Sequence, residues 1–167
     1  MRRPITPRGY AALRAELKRL KSMRPELSRA IEVARGHGDL SENGDYDAAK
    51  EKSAMTEAKI RDLETKLTMA DVIDPRKLQS FENVVFGVSV LIEDVDSGEQ
   101  RRLTIVGADE SDVERGWISI ESPLGRGLIG KPGGEIARVQ LPGGSREFEI
   151  REIYVDYQDD GVVVEED

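Results

Sequence analysis

Apolar residues fall in two long stripes over the first seventy positions and in short runs of strand length afterwards. The first stripe is Tyr10, Leu13, Leu17, Leu20, Arg24, Leu27, Ile31 and Ala34. Its alternating steps of three and four lay one face of a helix against a partner. Thr6-Pro7 supplies the start, a hydroxyl cap followed by proline at the first helical position. Pro25 has no amide proton to give the helix, yet the stripe continues past it, which predicts a bend and not an end. Gly36 or Gly38 is expected to close the helix in the left-handed conformation. The second stripe is Tyr46, Ala49, Ser53, Thr56, Ile60, Leu63, Leu67 and Ala70, small and polar in its first half and apolar in its second. Two stripes of similar length joined by a short connector predict an antiparallel helical hairpin. A helix from Gly9 to Ala34 would be about 39 Å long at 1.5 Å per residue.

The segment Asp74-Pro75-Arg76-Lys77-Leu78-Gln79-Ser80 breaks the helical period. After it, β-rich runs over 84–86, 88–92, 102–106, 117–120, 136–141 and 148–154 are separated by turn clusters at Asp96-Ser97-Gly98, Lys131-Pro132-Gly133-Gly134 and Pro142-Gly143-Gly144. This pattern predicts an α+β domain with a mostly antiparallel sheet, with one short helix from Pro123 to Gly130. The expected organisation is a coiled-coil domain at 1–75, a linker at 76–80, a globular domain at 81–157 and an acidic, flexible tail at 158–167.

Composition adds limits. Apolar residues make up 38% and charged residues 35%, lean for one large core and suited to a coiled coil beside a small domain. The absence of cysteine excludes disulfides and thiolate metal sites. No apolar run reaches the length of a membrane span, and the N-terminus lacks the apolar stretch of a signal peptide, so a soluble cytoplasmic protein is expected. The net charge of −8 is uneven: residues 1–78 hold 17 basic against 13 acidic side chains, and residues 79–167 hold 8 against 20. An excess of four positive charges is too small for autonomous DNA binding.

The chemistry concentrates between the two stripes, in Ala34-Arg35-Gly36-His37-Gly38-Asp39-Leu40-Ser41-Glu42-Asn43-Gly44-Asp45-Tyr46. Asp39 and Glu42 have the spacing of a capping box for the second helix. Acids in a first helical turn, here also Asp45 and Asp47, complement its dipole. The other reading is that Asp39 and Glu42, borne at the far end of a slender hairpin, complete a Mg²⁺ site that another macromolecule half-builds, since Mg²⁺ is commonly held by one or two carboxylates with phosphates and waters. His37, the single histidine, reads as a hydrogen-bonding tip residue. Arg35, Lys50 and Lys52 are candidate phosphate contacts or solvated helix positions.

The tip Ala-Arg-x-His-Gly-Asp-Leu-Ser-Glu-Asn with Tyr46, the triplet Val72-Ile73-Asp74, the stretch Ser122-Pro123-Leu124-Gly125-Arg126-Gly127-Leu128-Ile129-Gly130-Lys131, and the closing Pro142-Gly143-Gly144 and Phe148-Glu149-Ile150 resemble the Gre family of bacterial transcript cleavage factors over nearly the whole chain. The resemblance implies an N-terminal antiparallel coiled coil and a C-terminal FKBP-like domain. That domain would dock at the rim of the RNA polymerase secondary channel, with Ser122, Pro123, Gly125, Arg126 and Gly127 as docking residues, while the coiled coil enters the channel. Asp39 and Glu42 would stabilise the polymerase's second Mg²⁺ and its water, with no metal site on this chain alone. Ser41, His37, Asn43 and Tyr46 would support the tip. The partners would be the polymerase and the nascent RNA 3′ end of backtracked complexes; hydrolysis would belong to the polymerase, and this chain would be a monomeric accessory. Leu40 after Asp39 and the modest basic excess favour the branch of the family linked to short cleavage products.

Gly44-Asp45 stands where the family commonly has Ala-Glu, and the acidic tail beyond Tyr157 exceeds its usual end. Besides a plain coiled-coil interaction module, which explains the heptads but not the acid tip, two other readings remain. One is a channel-binding regulator that inhibits polymerase without stimulating cleavage. The other is a prolyl isomerase, which would need an aromatic-lined pocket; Phe81, Phe86, Trp117, Phe148, Tyr154 and Tyr157 read mostly as core instead.

Overall fold

The computed structural model describes residues 2–36, 43–79 and 81–158. Thr6 caps the first helix as its sequence predicts, its hydroxyl accepting from Gly9 N at 3.1 Å and its carbonyl from Tyr10 N at 2.9 Å. Helix α1 runs Pro7–Ser22 and α2 runs Arg24–Arg35. The expected bend falls at Met23, with Pro25 in the first turn of α2; the ladder resumes with Leu27 N donating to Met23 O at 3.0 Å. Helix α3 runs Gly44–Met69. Of the two glycines expected to close the helix in the left-handed conformation, Gly36 does not adopt it. Its φ of −72° is right-handed, and its N–H closes α2 on Glu32 O and Val33 O, both at 3.2 Å. Gly38 lies outside the described residues.

By contact the chain forms two units, Ala12–Met69 and, together, Met1–Ala11 with Ala70–Asp167. The expected single boundary at residue 75 does not separate these groups, because the first residues belong with the sheet. Strand β1 (Arg3–Ile5) pairs in parallel with β2 (Ala70–Val72), where the helical stripe was expected to end. The carboxylate of Glu110 accepts from Thr6 N at 3.0 Å and from Gly107 N at 2.8 Å, and also bonds the Thr6 hydroxyl. Gly9 is required there, since a Cβ would overlap the Glu110 side chain.

In the hairpin unit, Leu20, Ile60 and Leu63 form the buried cluster, with Leu13, Leu17 and Met23 packed on it. Towards the tip, among the described residues, Leu27, Ala34 and Thr56 alone are buried. Arg24, a stripe position, is not core: its guanidinium makes a two-pronged pair with Glu57 of α3 at 2.8 and 2.9 Å. That arrangement keeps the helices in register without apolar packing.

The other unit carries a five-stranded sheet in the order β5-β4-β3-β7-β6, from β3 (Ser89–Asp94), β4 (Gln100–Val106), β5 (Trp117–Ser119), β6 (Ile136–Leu141) and β7 (Gly144–Tyr154). All pairs are antiparallel except β4–β5. A bulge in the β3–β7 pairing at Leu91/Ile92 bends the sheet. Its core includes Val84, Val88, Val90, Ile92, Ile105, Leu128, Ala137 and Ile150, each fully buried. Val84 is core but not strand; it exchanges backbone bonds with Lys131 O and Gly130 N. The expected short helix is α4, Pro123–Leu128. The α+β expectation, a long helical hairpin followed by a curled, mostly antiparallel sheet, is met.

Candidate functional site

The two ends of the hairpin connector are defined by Ala34, Arg35 and Gly36 on α2 and by Asn43 through Lys50 on α3. His37, Asp39, Ser41 and Glu42 lie outside the described residues. Asn43 holds both ends. Its carbonyl oxygen Oδ1 accepts from Tyr46 N at 3.0 Å, which caps the first turn of α3, and its Nδ2 donates to Ala34 O in the last turn of α2. Asp47 N continues the ladder onto Asn43 O at 3.1 Å. One side chain therefore caps one helix and terminates the other. Sequence reading counted Asn43 as tip support and weighed a capping role for the Asp39/Glu42 spacing beside a metal-assisting one. The signal that finds the true cap was present: asparagine immediately before Gly44, with acids at Asp45 and Asp47 in the following turn.

Tyr46 stands next in the same half of the site. The Arg35 guanidinium carbon lies 5.9 Å and the Lys50 ammonium 5.2 Å from its ring centre. Hydrogen bonding to Arg35, followed by the positive charge of Lys50, holds the Tyr46 phenol below its ordinary value. Arg35, Tyr46 and Lys50 thus form one cationic cluster beside the connector. Lys52 does not join it. It lies along a groove with Arg19, Met23, Met55 and Lys59, so the three basic candidates divide between two surfaces.

Among the described residues no three histidine, aspartate or glutamate side chains gather to hold a metal ion. Asp39 and Glu42, the pair that the sequence offers for Mg²⁺, lie outside the described residues. Two carboxylates suit an ion whose other positions are filled by phosphate, water or a partner. Because Asn43 supplies the cap, α3 does not need either acid for that purpose.

The second set of candidates sits around α4. The Ser122 hydroxyl accepts from Gly125 N at 3.0 Å, capping the helix, and donates to Ser119 O at 2.7 Å. Pro123 occupies the first helical position, where its missing N–H costs nothing. Gly125 faces Ser119 O too closely for any Cβ, and a Cβ on Gly127 would lie 2.7 Å from Val139 Cγ2. Ser122, Pro123, Gly125 and Gly127 therefore build α4 and seat it on β6. Arg126 alone of the five is exposed and basic, at the last turn.

The aromatic residues separate likewise. Phe86, Phe148 and Tyr157 are buried, as expected of core. Trp117 and Tyr154 are instead half-buried against arginines: Arg8 lies 3.6 Å and Arg115 4.8 Å from the Trp117 ring centre, and Arg102 donates to Tyr154 Oη at 2.9 Å. Arg8 N also donates to Tyr157 Oη at 2.8 Å, fastening the start of α1 to the sheet unit. Among the described residues no helix is long and apolar enough to cross a membrane.

Comparison with known proteins identifies the family. Residues 3–72 match the family described as transcription elongation factor, N-terminal (GreA/GreB), and residues 79–155 match transcription elongation factor, GreA/GreB, C-terminal. Transcription elongation factor GreA of a Psychrobacter strain is 54% identical over 153 residues, covering 91% of this chain and 97% of that protein. The Vibrio parahaemolyticus GreA is 49% identical over 147 residues, covering 88% and 94%. Among solved structures, GreA factor homolog 1 of Thermus thermophilus is 29% identical, with 92% of this chain and 99% of that one covered at a TM-score of 0.42. On two family matches that together span most of the chain, and on near full-length relatives at about half identity, this chain belongs to the GreA/GreB family of transcription elongation factors and is of the GreA type.

Proposed function

We propose that the hairpin enters the secondary channel of bacterial RNA polymerase in the cytoplasm and presents Asp39 and Glu42 to the polymerase active centre, so that the polymerase hydrolyses the 3′ end of backtracked RNA. The observation that carries this reading is the cap: Asn43 satisfies Tyr46 N and ties α3 to Ala34 O, a task the two acids would otherwise be needed for. Mg²⁺, held jointly with the polymerase, would supply the activated water and the charge stabilisation of the in-line displacement. Asp39 and Glu42 are its protein donors on this side, with Ser41 and His37 shaping the segment between the helices. Arg35 and Lys50, drawn together by Tyr46, offer positive charge to phosphates of the RNA 3′ end. Arg126, presented on an α4 built by Ser122, Pro123, Gly125 and Gly127, is the docking contact on the sheet unit. The covalent chemistry is the polymerase's, and this chain acts as a monomeric accessory to it. The length of the hairpin suits the task, since the 26 residues of α3 extend about 39 Å.

The test is RNA cleavage in a stalled, backtracked elongation complex with no factor, with this protein, and with its Asp39→Ala/Glu42→Ala variant. Shortening of the RNA from its 3′ end with the wild type, reduced at least about a hundred-fold in the variant at unchanged polymerase binding, is the expected result. Slowed elongation without cleavage would place the chain with the channel inhibitors instead.

A further inference from the structure

Arginines gather on the rings of Trp117 and Tyr157 where the chain enters its first helix. Arg8 lies 3.6 Å from the Trp117 ring centre and 5.0 Å from that of Tyr157. Arg115 shares the Trp117 ring at 4.8 Å, and Arg76 shares the Tyr157 ring at 5.3 Å. All of these residues belong to the unit formed by Met1–Ala11 with Ala70–Asp167. Arg76 has a carboxylate in Asp74 at 2.9 Å, and Arg115 has one in Asp112 at 3.5 Å. Arg8 differs from both. It is half-buried, and among the described residues no carboxylate pairs with it. Its Nη1 donates to Gln158 O at 2.7 Å. A guanidinium carries several donors in a planar fork, so one carbonyl leaves most of them unused. The ring faces attract the cation but do not neutralise it.

Asp159 and Asp160 follow Gln158 in the chain and lie outside the described residues. We propose that Arg8 is the receptor for the chain's own acidic tail, with a carboxylate of the Asp159-Asp160 pair closing on its guanidinium beside Trp117 and Tyr157. Reach supports this. Tyr157 is 6% exposed and accepts from Arg8 N through its hydroxyl, and Gln158 O is already on the Arg8 side chain. The chain is thus fixed up to the residue before the acids, and consecutive Cα atoms are about 3.8 Å apart. Closing so short a loop costs little entropy and gives the tethered carboxylates a high effective concentration. Charge supports it too. Residues 79–167 carry 20 acidic against 8 basic side chains, so most of the surface around the tail repels it, and the arginines at the two rings do not. A carboxylate is also the ligand that a guanidinium fork fits best. The contact is a strap that holds the first turn of α1 to the sheet unit, beside the Glu110 clasp on Thr6. It does not depend on the function proposed above.

The test uses the full-length protein and urea unfolding read by Trp117, the ring on which Arg8 lies. Asp159→Asn/Asp160→Asn is expected to lower the folding equilibrium constant about two- to five-fold at low salt, the range of a part-exposed ion pair. The sign is diagnostic. In a chain of net charge −8, neutralising two acids that touch nothing would leave stability unchanged or raise it by relieving repulsion. The loss should vanish in an Arg8→Gln background and shrink at high salt. Glu165→Gln/Glu166→Gln, the same change of charge farther along the tail, should leave the urea midpoint where it is. Heteronuclear NMR of the side-chain carboxyls gives a reading that does not depend on stability. Asp159 or Asp160 is expected to titrate at lower pH in the wild type than in Arg8→Gln, because the nearby cation favours the charged form. Circular dichroism checks that Arg8→Gln remains folded. An equal loss in both backgrounds, no loss or a gain from the double asparagine variant, or a titration that Arg8→Gln leaves unaltered would each overturn the assignment.

Discussion

The two units hold themselves together by different means. The sheet unit owns a continuous core in which Val84, Val88, Val90, Ile92, Ile105, Leu128 and Ile150 are all fully buried. Among the described residues the hairpin unit buries Leu20, Ile60 and Leu63 in one cluster and thereafter only isolated positions towards the connector. It substitutes polar fastenings: Arg24 on Glu57, and Asn43 on both Ala34 O and Tyr46 N. A slender pair of helices has few positions that apolar neighbours can surround. Its stability is therefore graded along its length, whereas that of the sheet unit is shared among many neighbours.

The largest effect should come from cutting each core at one place. Ile150→Ala and Ile60→Ala both remove a side chain at most 1% exposed, and each is expected to cost about 2–5 kcal/mol. Trp117 is the only tryptophan and lies in the sheet unit, so its fluorescence follows that unit, while helical circular dichroism follows mainly the hairpin. Ile150→Ala should move the fluorescence transition most, and Ile60→Ala the helical one. Coincident shifts of both probes in both variants would show one cooperative structure and remove the contrast drawn above.

Much of this contrast was readable before the structure. The stripe through Leu13, Leu17, Leu20, Ile60 and Leu63 announced the hairpin and its firm region because helical period and burial coincide there. The bend at Pro25 was legible because only proline lacks the needed donor. What the sequence hid were contacts between distant residues. No local pattern says that Arg3–Ile5 will pair with Ala70–Val72, or that Glu110 will clasp Thr6, 104 positions away. Asp39-x-x-Glu42 is a local pattern that competes with Asn43 for the cap; the bonds of Asn43 to Tyr46 N and Ala34 O give that duty to Asn43, while the two acids lie outside the described residues. Ser122, Gly125 and Gly127, named as docking residues from the resemblance, each have a structural duty in α4 that no local pattern disclosed.

The Glu110 clasp is the polar fastening of the sheet unit, and it sharpens the comparison because it works in a more enclosed setting. Glu110→Ala strands Thr6 N and Gly107 N, and Thr6 is only 1% exposed. A loss of about 2–3 kcal/mol is expected, since each buried donor left without a partner costs on the order of 1–3 kcal/mol. Urea unfolding followed by Trp117 fluorescence measures it. In the hairpin, Asn43→Ala should cost less, about 1 kcal/mol, the usual value of a cap at a solvated helix end. Its signature is local: faster amide exchange at Tyr46, with exchange near Ile60 unchanged. Protection lost equally along α3 would mean that the hairpin unfolds as one piece and is not graded.

The smallest effect concerns charge and again divides the units. In the sheet unit the Asp94 carboxylate accepts from Ser97 N at 3.2 Å and Asp96 N at 2.9 Å and receives Arg146 at 3.0 Å; the Ser97 amide leads the causes that hold it below the ordinary carboxylate value. In the hairpin, Glu16 and Glu57 are lowered too, but chiefly by exposed partners, Arg19 and Arg24. A carboxylate whose folded pKa is depressed contributes stability that is fully present above its unfolded value, about 3.9 for aspartate, and lost as pH falls through the folded value. The wild type should therefore exceed Asp94→Asn in urea midpoint at neutral pH, with the gap closing in the acid range below about pH 4. Asp74, lowered by Arg76, titrates in the same direction and remains in the variant, so some acid slope persists there. Salt separates the two kinds of fastening. Backbone amides on Asp94 are not screened, whereas the exposed pairs of the hairpin are. The Asp94 gap read by Trp117 fluorescence should largely survive high salt, while the gap that Glu57→Gln opens in the helical signal should shrink. An Asp94 gap that is the same at acid and neutral pH, or that salt abolishes, would mean that the turn is held by surface charge as the hairpin is, and the distinction between the units would fall to apolar packing alone.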